Sequence, residues 1–342
     1  MKTMKEKYNI ISIGRSLVDV TFTLEDDIYK DVLTFLGVYP GDWTEIVSIE
    51  QLKYIFELVS GFEYPIVNES DILFLKNSPQ ITIEAGSTNL NVLSTFPLEL
   101  RKKSAIVTAI GVDENNKKDL MSMYYTESLS AKSINHIHYS YLGNNPLSLV
   151  FISKTNPEKV MASFLGISGN LDKMLDIDTE YIYIDAYELQ KGPISKLLDT
   201  LILSKKYKIA LGLGNATILE GQLLYRIQEY LSDGAITILL GNVHEYRKLF
   251  SPLNIGEIAS IPLFSKTPYM LLTQGENELI GIINGKVYTH NAFKISKISN
   301  TTGAGDTAAG AFISSIIQNK TPKDIVYDAA YMAYVFLKQR EL

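Results

Sequence analysis

The segment NTTGAGDTAAGA, residues 300–311, determines how the rest of this 342-residue chain is interpreted. Gly303 and Gly305 leave a turn without side chains, and small and apolar residues then continue to Ile317. This pattern predicts a glycine-rich turn that opens a buried helix. The N-terminus of such a helix presents free N–H groups and the positive end of the helix dipole to an anion.

Asp306 falls in the first turn of this predicted helix. A carboxylate beside an anion site repels the bound anion, so its presence there needs a reason. One reason is proton abstraction from an attacking hydroxyl during phosphoryl transfer. The alternative is an aspartate favoured by the helix dipole, with glycines that only close a tight turn. The short motif alone leaves both interpretations open.

Apolar runs alternate with amphipathic helical segments along most of the chain. Alternation of this kind predicts βαβ units, a mostly parallel sheet and an α/β fold. Ligands in such folds bind beyond the carboxyl ends of the strands, so the residues after each run are candidates for a site. The runs are NIISIG (9–14), AIVTAI (105–110), YIYI (181–184), AITILL (235–240) and YMLLT (269–273).

Composition excludes several functional classes. The 32 Lys and Arg residues against 38 Asp and Glu give a net charge of −6, so no basic excess favours a nucleic-acid partner. There is no cysteine for disulfides or thiolate chemistry, and only four histidines are present. No apolar run is long enough for a membrane span or a signal peptide, so we expect a cytoplasmic protein without a membrane partner.

Two stretches depart from the alternation and resemble short β segments joined by turns. We expect them to form a small antiparallel sheet beside the main body, as a lid. The predicted boundaries place residues 1–19, 86–135 and 169–342 in a large nucleotide-binding and catalytic domain. Residues 20–85 and 136–168 would form the lid, with a helical insertion that includes residues 51–59.

The segment TTGAGDTAAGA (301–311) resembles the C-terminal signature of the ribokinase/PfkB carbohydrate kinases, a family that includes adenosine kinase. The resemblance implies a ribokinase-like three-layer αβα fold with a mostly parallel central sheet and a small β-rich lid. It also implies an ATP-dependent phosphotransferase that transfers the γ-phosphoryl group to a hydroxyl of a nucleoside or sugar. In this family the aspartate matching Asp306 is the catalytic base. The amides matching Gly303, Ala304, Gly305 and Asp306 form the anion hole.

Three further places match family motifs for the nucleotide. Asn242 and Glu245 resemble the N-x-x-E motif, whose acidic residue positions Mg²⁺ and phosphate, usually through water. The same spacing is that of a helix N-cap with a capping-box glutamate, and the two roles are compatible. Thr273 and Gly275 resemble the T-x-G segment that contacts the nucleotide phosphates, and Thr302 belongs with this cofactor group.

Two further places match family motifs for the substrate: Asp19 and the segment AGSTNLNV (85–92). The resemblance implies that Asp19 binds substrate hydroxyls. The second segment resembles the family's di-glycine motif with one glycine lost. In one frame Gly86 and Ser87 stand for the two glycines and Asn91 for the asparagine. In the other frame Leu90 takes the asparagine position, and we prefer the first frame because the helix continues as in the family.

The sequence does not decide the roles of two positions, Asn300 and Asp185, or the choice of substrate. Asn300 stands where the family has the aspartate of a monovalent-cation site, and a neutral amide coordinates a cation less strongly, so cation activation is not implied. Asp185, after the run YIYI, either lines the site or caps the next helix.

The segment from Asp31 to Val59 resembles the insertion of adenosine-kinase-type members, so a nucleoside or a ribose-like sugar is favoured. Aromatic residues either wall a base or fill the core of the lid; they are Phe22, Trp43, Tyr139 and Phe151. Partners are then ATP and a small molecule, with a monomer or homodimer as the assembly. A different class also fits: a catalytically silent kinase fold kept as a ligand-binding or regulatory module.

Overall fold

The computed structural model describes residues 7–61, 77–155, 159–174, 177–251, 258, 260–295 and 301–340. Asn300 lies outside these residues. The strands of the described part are β1 (Lys7–Ile13), β2 (Val18–Leu24), β3 (Trp43–Ile46), β4 (Ile81–Ala85), β5 (Ser104–Val112), β6 (Asn135–Leu142), β7 (Leu147–Ser153), β8 (Val160–Phe164), β9 (Asp178–Asp185), β10 (Lys208–Gly212), β11 (Ile236–Asn242), β12 (Tyr269–Thr273), β13 (Glu278–Ile283) and β14 (Lys286–Asn291).

The helices of the same part form the outer layers and the connections between strands. They are α1 (Asp26–Leu36), α2 (Ile49–Ser60), α3 (Thr88–Ser94), α4 (Leu98–Arg101), α5 (Leu120–Ala131), α6 (Pro193–Leu203), α7 (Gly221–Ser232), α8 (Val243–Leu249), α9 (Ala304–Ile317) and α10 (Pro322–Lys338). None of the helices seen in these residues combines the length and the apolar character that a membrane crossing needs.

A nine-stranded sheet forms the centre, in the order β14-β13-β12-β11-β10-β9-β1-β5-β6. The strands from β12 to β6 pair in parallel, and β13 and β14 complete one edge as an antiparallel hairpin. Neighbouring residues of β1 alternate between two apolar clusters, with Ile10 in one and Ile11 in the other. Both faces of the sheet are therefore covered, and the predicted three-layer α/β fold with a mostly parallel sheet is confirmed.

A second sheet has five strands in the order β3-β8-β7-β2-β4. The sheet is mixed, and not antiparallel throughout as the sequence predicts: β2–β4 and β7–β8 pair antiparallel, whereas β2–β7 and β3–β8 pair in parallel. Phe22 and Phe151 are fully buried and stack at 5.8 Å inside this sheet's core, so they fill the core and do not wall a ligand.

The assignment of residues to the two sheets differs at two places from the domain boundaries expected from the sequence. Residues 136–142 were placed in the lid, but β6 pairs in parallel with β5 at the edge of the large sheet. A half-exposed edge strand has the same alternating pattern as a strand of a small sheet, so periodicity could not distinguish them. Asp19 lies inside β2 and so belongs to the small sheet, and α1 is a second helix in a region where one was expected. The division into two domains stays a prediction.

Four segments whose two ends are described connect the two sheets; three are short, and the fourth also includes residues 175–176, which lie outside the described residues. They join β1 to β2, β4 to α3, β6 to β7 and β8 to β9. Each contains a glycine that packs too closely against a neighbour to allow a side chain. An added Cβ would lie 1.5 Å from Asn89 Nδ2 at Gly14 and 2.1 Å from Asp19 Oδ2 at Gly86. It would lie 2.8 Å from Ile167 Cγ2 at Gly143 and 2.3 Å from the Asn144 carbonyl oxygen at Gly166.

Helix α9 packs unusually close to α3. At Gly310 an added Cβ would lie 2.3 Å from the carbonyl oxygen of Val92 and 2.9 Å from Cβ of Thr95. The glycine is therefore required by space, because the neighbour is backbone that cannot move aside. Nearly all of α9 after its first turn is buried, as its run of alanines and isoleucines predicts.

We expect Gly310→Ala to lower the free energy of unfolding by about 1–3 kcal/mol, the usual cost of forcing a methyl group into a packed interior. Denaturant unfolding measures the change. The matched control is Gly169→Ala, whose Cβ meets no atom within 4 Å and which should shift stability by less than about 0.5 kcal/mol. Equal stability of the two variants would contradict the packing described for α9.

Candidate active site

A cleft of about 200 Å³ opens at the carboxyl ends of β9, β10, β11 and β12, where the start of α9 meets them. This is the position expected for a ligand site in a parallel α/β sheet. Its lining includes six of the residues predicted from the sequence. They are Asn242, Glu245, Thr273, Gly303, Gly305 and Asp306.

The first turn of α9 has the form expected for an anion site. Gly303 has φ +90°, a left-handed conformation that favours glycine, and an added Cβ there would approach Phe336 Cζ to 3.0 Å. At Gly305 an added Cβ would meet no atom within 4 Å, so the space in front of this residue is open. The N–H of Ala304 already donates to the Thr301 carbonyl at 3.1 Å. The amides of Gly305 and Asp306, in the same turn, are free of such a backbone bond and can serve an anion.

Asp306 is held by a residue of the substrate motif. Its Oδ2 accepts a hydrogen bond of 3.0 Å from Nδ2 of Asn91, on the exposed side of α3. Leu90, the alternative in the second frame, is fully buried. The geometry thus favours the frame in which Asn91 is the functional asparagine, because only its side chain reaches the cleft carboxylate.

Asn242 and Glu245 form a capping box at the start of α8. The backbone N–H of Asn242 donates to Glu245 Oε2 at 2.8 Å, and the Asn242 Oδ1 accepts from the Glu245 N–H at 3.1 Å. Glu245 is only 5% exposed although it lines the cleft. The capping interpretation is therefore correct locally, and it fixes a carboxylate at the cleft wall as the functional interpretation requires.

The carboxylates of the cleft share a low-dielectric environment that disfavours their charge. Burial raises the pKa of Asp306 to about 6 and that of Glu245 to about 7, with the charge of Asp306 contributing to the second shift. Burial also raises the pKa of Asp185 well above its usual range, helped by the charges of Asp306, Glu188 and Glu245. Asp185 lines the cleft and its Oδ1 also accepts from the Tyr187 N–H at 2.9 Å, so both roles left open by the sequence are present.

Asp19 lies on the small-sheet side, against the loop that contains Gly86. Gly86 has to be glycine there, because its Cβ would lie 2.1 Å from Asp19 Oδ2. Burial raises the pKa of Asp19 to about 6, while a hydrogen bond from Ser148 and the charge of Lys159 lower it in part. Ser87 follows with φ +83° and accepts from the Leu90 N–H at 3.3 Å as the N-cap of α3.

Two predicted cofactor residues lie beside the cleft and do not line it. Gly275 forms the turn between β12 and β13 with φ +61°. Thr302 is exposed, and both of its oxygens have partners. Lys159 Nζ donates to its Oγ1 at 3.2 Å and Arg340 Nη1 donates to its carbonyl at 2.7 Å.

Lys159 and Arg340 are functional candidates that the sequence did not reveal. Lys159 starts from the small sheet and reaches the turn before α9, so it spans from Asp19 to Thr302. The Arg340 guanidinium stacks 4.2 Å above Phe336, the ring that packs on Gly303. Neither belongs to a local motif, because each acts through a contact that is distant in sequence.

The family model for the pfkB family carbohydrate kinases matches residues 102–341. The chain belongs to this family. It is accordingly a phosphotransferase with a hydroxyl group as acceptor, and the resemblance predicted from residues 301–311 is confirmed.

Solved structures share the fold over nearly the full chain. An adenosine kinase from Trypanosoma brucei brucei is 16% identical with a TM-score of 0.72, and covers 97% of this chain and 99% of its own. An adenosine kinase from Sinorhizobium meliloti is 15% identical with a TM-score of 0.71, covering 97% and 94%. A probable sugar kinase from Rhizobium etli has the same identity and TM-score, covering 98% and 94%. A search of curated protein sequences finds no match to this chain.

The buried carboxylates predict how stability depends on pH. The pKa values of Glu245, Asp185 and Asp306 are raised on folding, so the folded chain binds protons more tightly than the unfolded chain. Their contribution is present at low pH and is lost as pH rises through the folded pKa values. The melting temperature of the ligand-free protein should therefore be at least about 2 °C higher at about pH 6.5 than at about pH 8.

Scanning calorimetry at the two pH values measures this difference. His136 acts in the opposite sense, because burial lowers its pKa to about 3, but only below about pH 6.5. Glu245→Gln removes one titrating group and should reduce the difference. A melting temperature that rises from the lower to the higher pH would contradict the assignment.

Proposed function

We propose that this chain is an ATP-dependent kinase that transfers the γ-phosphoryl group to a hydroxyl of a nucleoside or sugar. The observation that carries the proposal is the position of Asp306. Its carboxylate lies in the first turn of a 14-residue helix, lines the cleft and is oriented by Asn91. An anion site with a fixed carboxylate beside it is what phosphoryl transfer to a hydroxyl requires.

Asp306 acts as the general base in this proposal. Asn91 holds Oδ2, which leaves Oδ1 to take the proton of the substrate hydroxyl. The hydroxyl oxygen forms the new bond to phosphorus as the bond between phosphorus and the leaving diphosphate oxygen breaks. The amides of Gly305 and Asp306 bind the oxygens of the group in transfer, and such fixed donors are usually the largest contribution to the rate.

The residues near Glu245 fit a magnesium ion. The acidic side chains that line the cleft there are Asp185, Glu245 and Asp306, and among the described residues its lining contains no thiolate or imidazole that would favour a softer metal. When bound, Mg²⁺ neutralises phosphate charge. Glu245 would hold it through water, because both of its carboxylate oxygens already accept from Asn242, at 2.8 Å and 2.5 Å.

Asp19, Gly86 and Ser87 would bind the substrate from the small-sheet side. Asp19 supplies a carboxylate acceptor for hydroxyl groups, and Gly86 lets the backbone approach it closely. Lys159 adds a positive charge between this carboxylate and the turn at Thr302. Charge in that position stabilises the phosphoryl group as it moves from donor to acceptor.

A nucleoside is the favoured acceptor. Adenosine kinases are among the proteins of the same fold, and the helices α1 and α2 form an insertion at the small sheet like that expected from residues 31–59. A sugar kinase also shares the fold, so simple sugars belong in the test. The buried pair Phe22 and Phe151 does not help to choose, since both rings lie in the core.

The test is an ADP-release assay with Mg²⁺ and ATP across a panel of nucleosides and sugars. Turnover with a member of the panel supports the proposal. One structural observation supports the alternative, a catalytically silent module. Ser87 stands where the family has a glycine, and its φ is +83°, a conformation that favours glycine. Thermal shifts with ligands but no turnover with any of them would favour that alternative.

Asp306→Asn keeps the size of the side chain and its capacity to form hydrogen bonds, but it removes the base. We expect kcat to fall by at least about 100-fold, within the range for loss of a general base, while ATP still binds. Steady-state kinetics and a nucleotide-binding titration measure the two effects. Asp199→Asn, on the outer surface away from the cleft, is the control and should keep near-normal turnover. Near-normal turnover of Asp306→Asn would remove Asp306 from this role.

The pH profile tests the same residue without a mutation. The pKa of Asp306 is about 6, so the base is protonated and inactive below this value. Because kcat/KM reports the pKa values of the free enzyme, it should fall on the acid side of about pH 6 and level off above it. A profile without an acid limb between about pH 5 and about pH 7 would contradict this prediction.

A further inference from the structure

Asp185 has a carboxylate oxygen that nothing in the described part of the chain satisfies. The residue is 2% exposed, and its Oδ1 accepts from the Tyr187 N–H. Its Oδ2 is buried without a hydrogen-bond partner. Leaving a buried oxygen unsatisfied lowers the stability of the fold, and more so when the oxygen is charged. Capping the turn after β9 requires only Oδ1, so the cap does not account for the second oxygen.

Glycines at two strand ends let the backbone pack directly against the cleft carboxylates. At Gly212, the last residue of β10, a Cβ would lie 3.2 Å from Asp185 Oδ2 and 2.6 Å from the Tyr183 hydroxyl. At Gly241, in β11, a Cβ would lie 2.8 Å from Glu245 Oε2. Neither glycine has a positive φ, so the backbone does not require them. They are needed because a side chain at either position would collide with these groups and displace the two carboxylates.

We propose that Asp185 is a direct ligand of a divalent cation in the cleft, with its Oδ2 as the ligating atom and Glu245 as a second carboxylate lining the same cleft. This assignment rests on the proposed phosphoryl transfer, because that reaction explains why a divalent cation occupies the cleft. A carboxylate oxygen is the ligand that Mg²⁺ and Mn²⁺ prefer. A bound cation would satisfy Oδ2 and would offset the repulsion between Asp185, Glu245 and Asp306.

The small number of protein ligands agrees with this chemistry. No group of three or more histidine or acidic side chains converges on one point in the residues that the structure describes. Mg²⁺ usually keeps several waters and uses one or two carboxylates together with substrate phosphates. One direct carboxylate at Asp185 and one water-mediated contact at Glu245 fit that pattern.

The experiment is a Mn²⁺ titration followed by electron paramagnetic resonance, on the full chain, with and without ADP and without any acceptor. Asp185→Asn keeps the size and the cap at Oδ1 but removes the ligating charge. Its Mn²⁺ affinity should be lower than that of the wild type by about 10- to 100-fold. The melting temperature in metal-free buffer verifies that the variant folds.

Glu188→Gln is the matched control. Glu188 is also buried and its charge reaches Asp185, but it pairs with Arg15 at 3.1 Å and does not line the cleft. Removing its charge should weaken Mn²⁺ binding by less than about fivefold. Equal losses in the two variants would mean that general charge is responsible, and would overturn direct ligation. So would wild-type affinity in Asp185→Asn.

A measurement on the wild type does not depend on the folding of a variant. The luminescence lifetime of bound Tb³⁺ in H₂O and in D₂O counts the waters that remain on the ion. Direct ligation by Asp185 removes waters, and a fully hydrated bound ion would overturn the proposal. Because the metal measurements need no turnover, their failure is distinct from failure of the kinase assay.

Discussion

The close contact between α9 and α3 is the constraint on which the cleft depends. Gly310 allows the backbones of the two helices to approach so closely that a Cβ at this position would lie 2.3 Å from the Val92 carbonyl oxygen. That approach brings Asn91 on α3 within 3.0 Å of Asp306 on α9. A residue with a side chain at position 310 would move the helices apart and would loosen the orientation of the carboxylate. Packing in the core and geometry in the cleft are thus set by the same glycine.

Burial of acidic groups lowers the free energy of unfolding of this protein. Asp19, Asp185, Glu245 and Asp306 all have raised pKa values because protein, and not water, surrounds them. Such groups destabilise the ligand-free chain near neutral pH. Cationic ligands and protons relieve the repulsion, so the same groups that weaken the free protein favour the bound one.

The sequence predicts those parts of the site that are local. The turn before α9 and the Asn242–Glu245 box are formed by residues close together in the chain, and their spacing alone indicates the geometry. Lys159 could not be found in this way, because its contact with Thr302 spans 143 positions. The edge strand β6 was misplaced for a related reason: its pattern shows one exposed face but does not show which sheet it joins. Pairing partners are set by tertiary packing, which periodicity does not contain.

The four connections between the sheets have a mechanical consequence. Because the described chain passes between the two sheets at Gly14, Gly86, Gly143 and Gly166, the small sheet is tethered at several points and not by one strand. Any rotation of that sheet must bend all four tethers together. Any displacement of the small sheet relative to the large one would therefore move it as a unit.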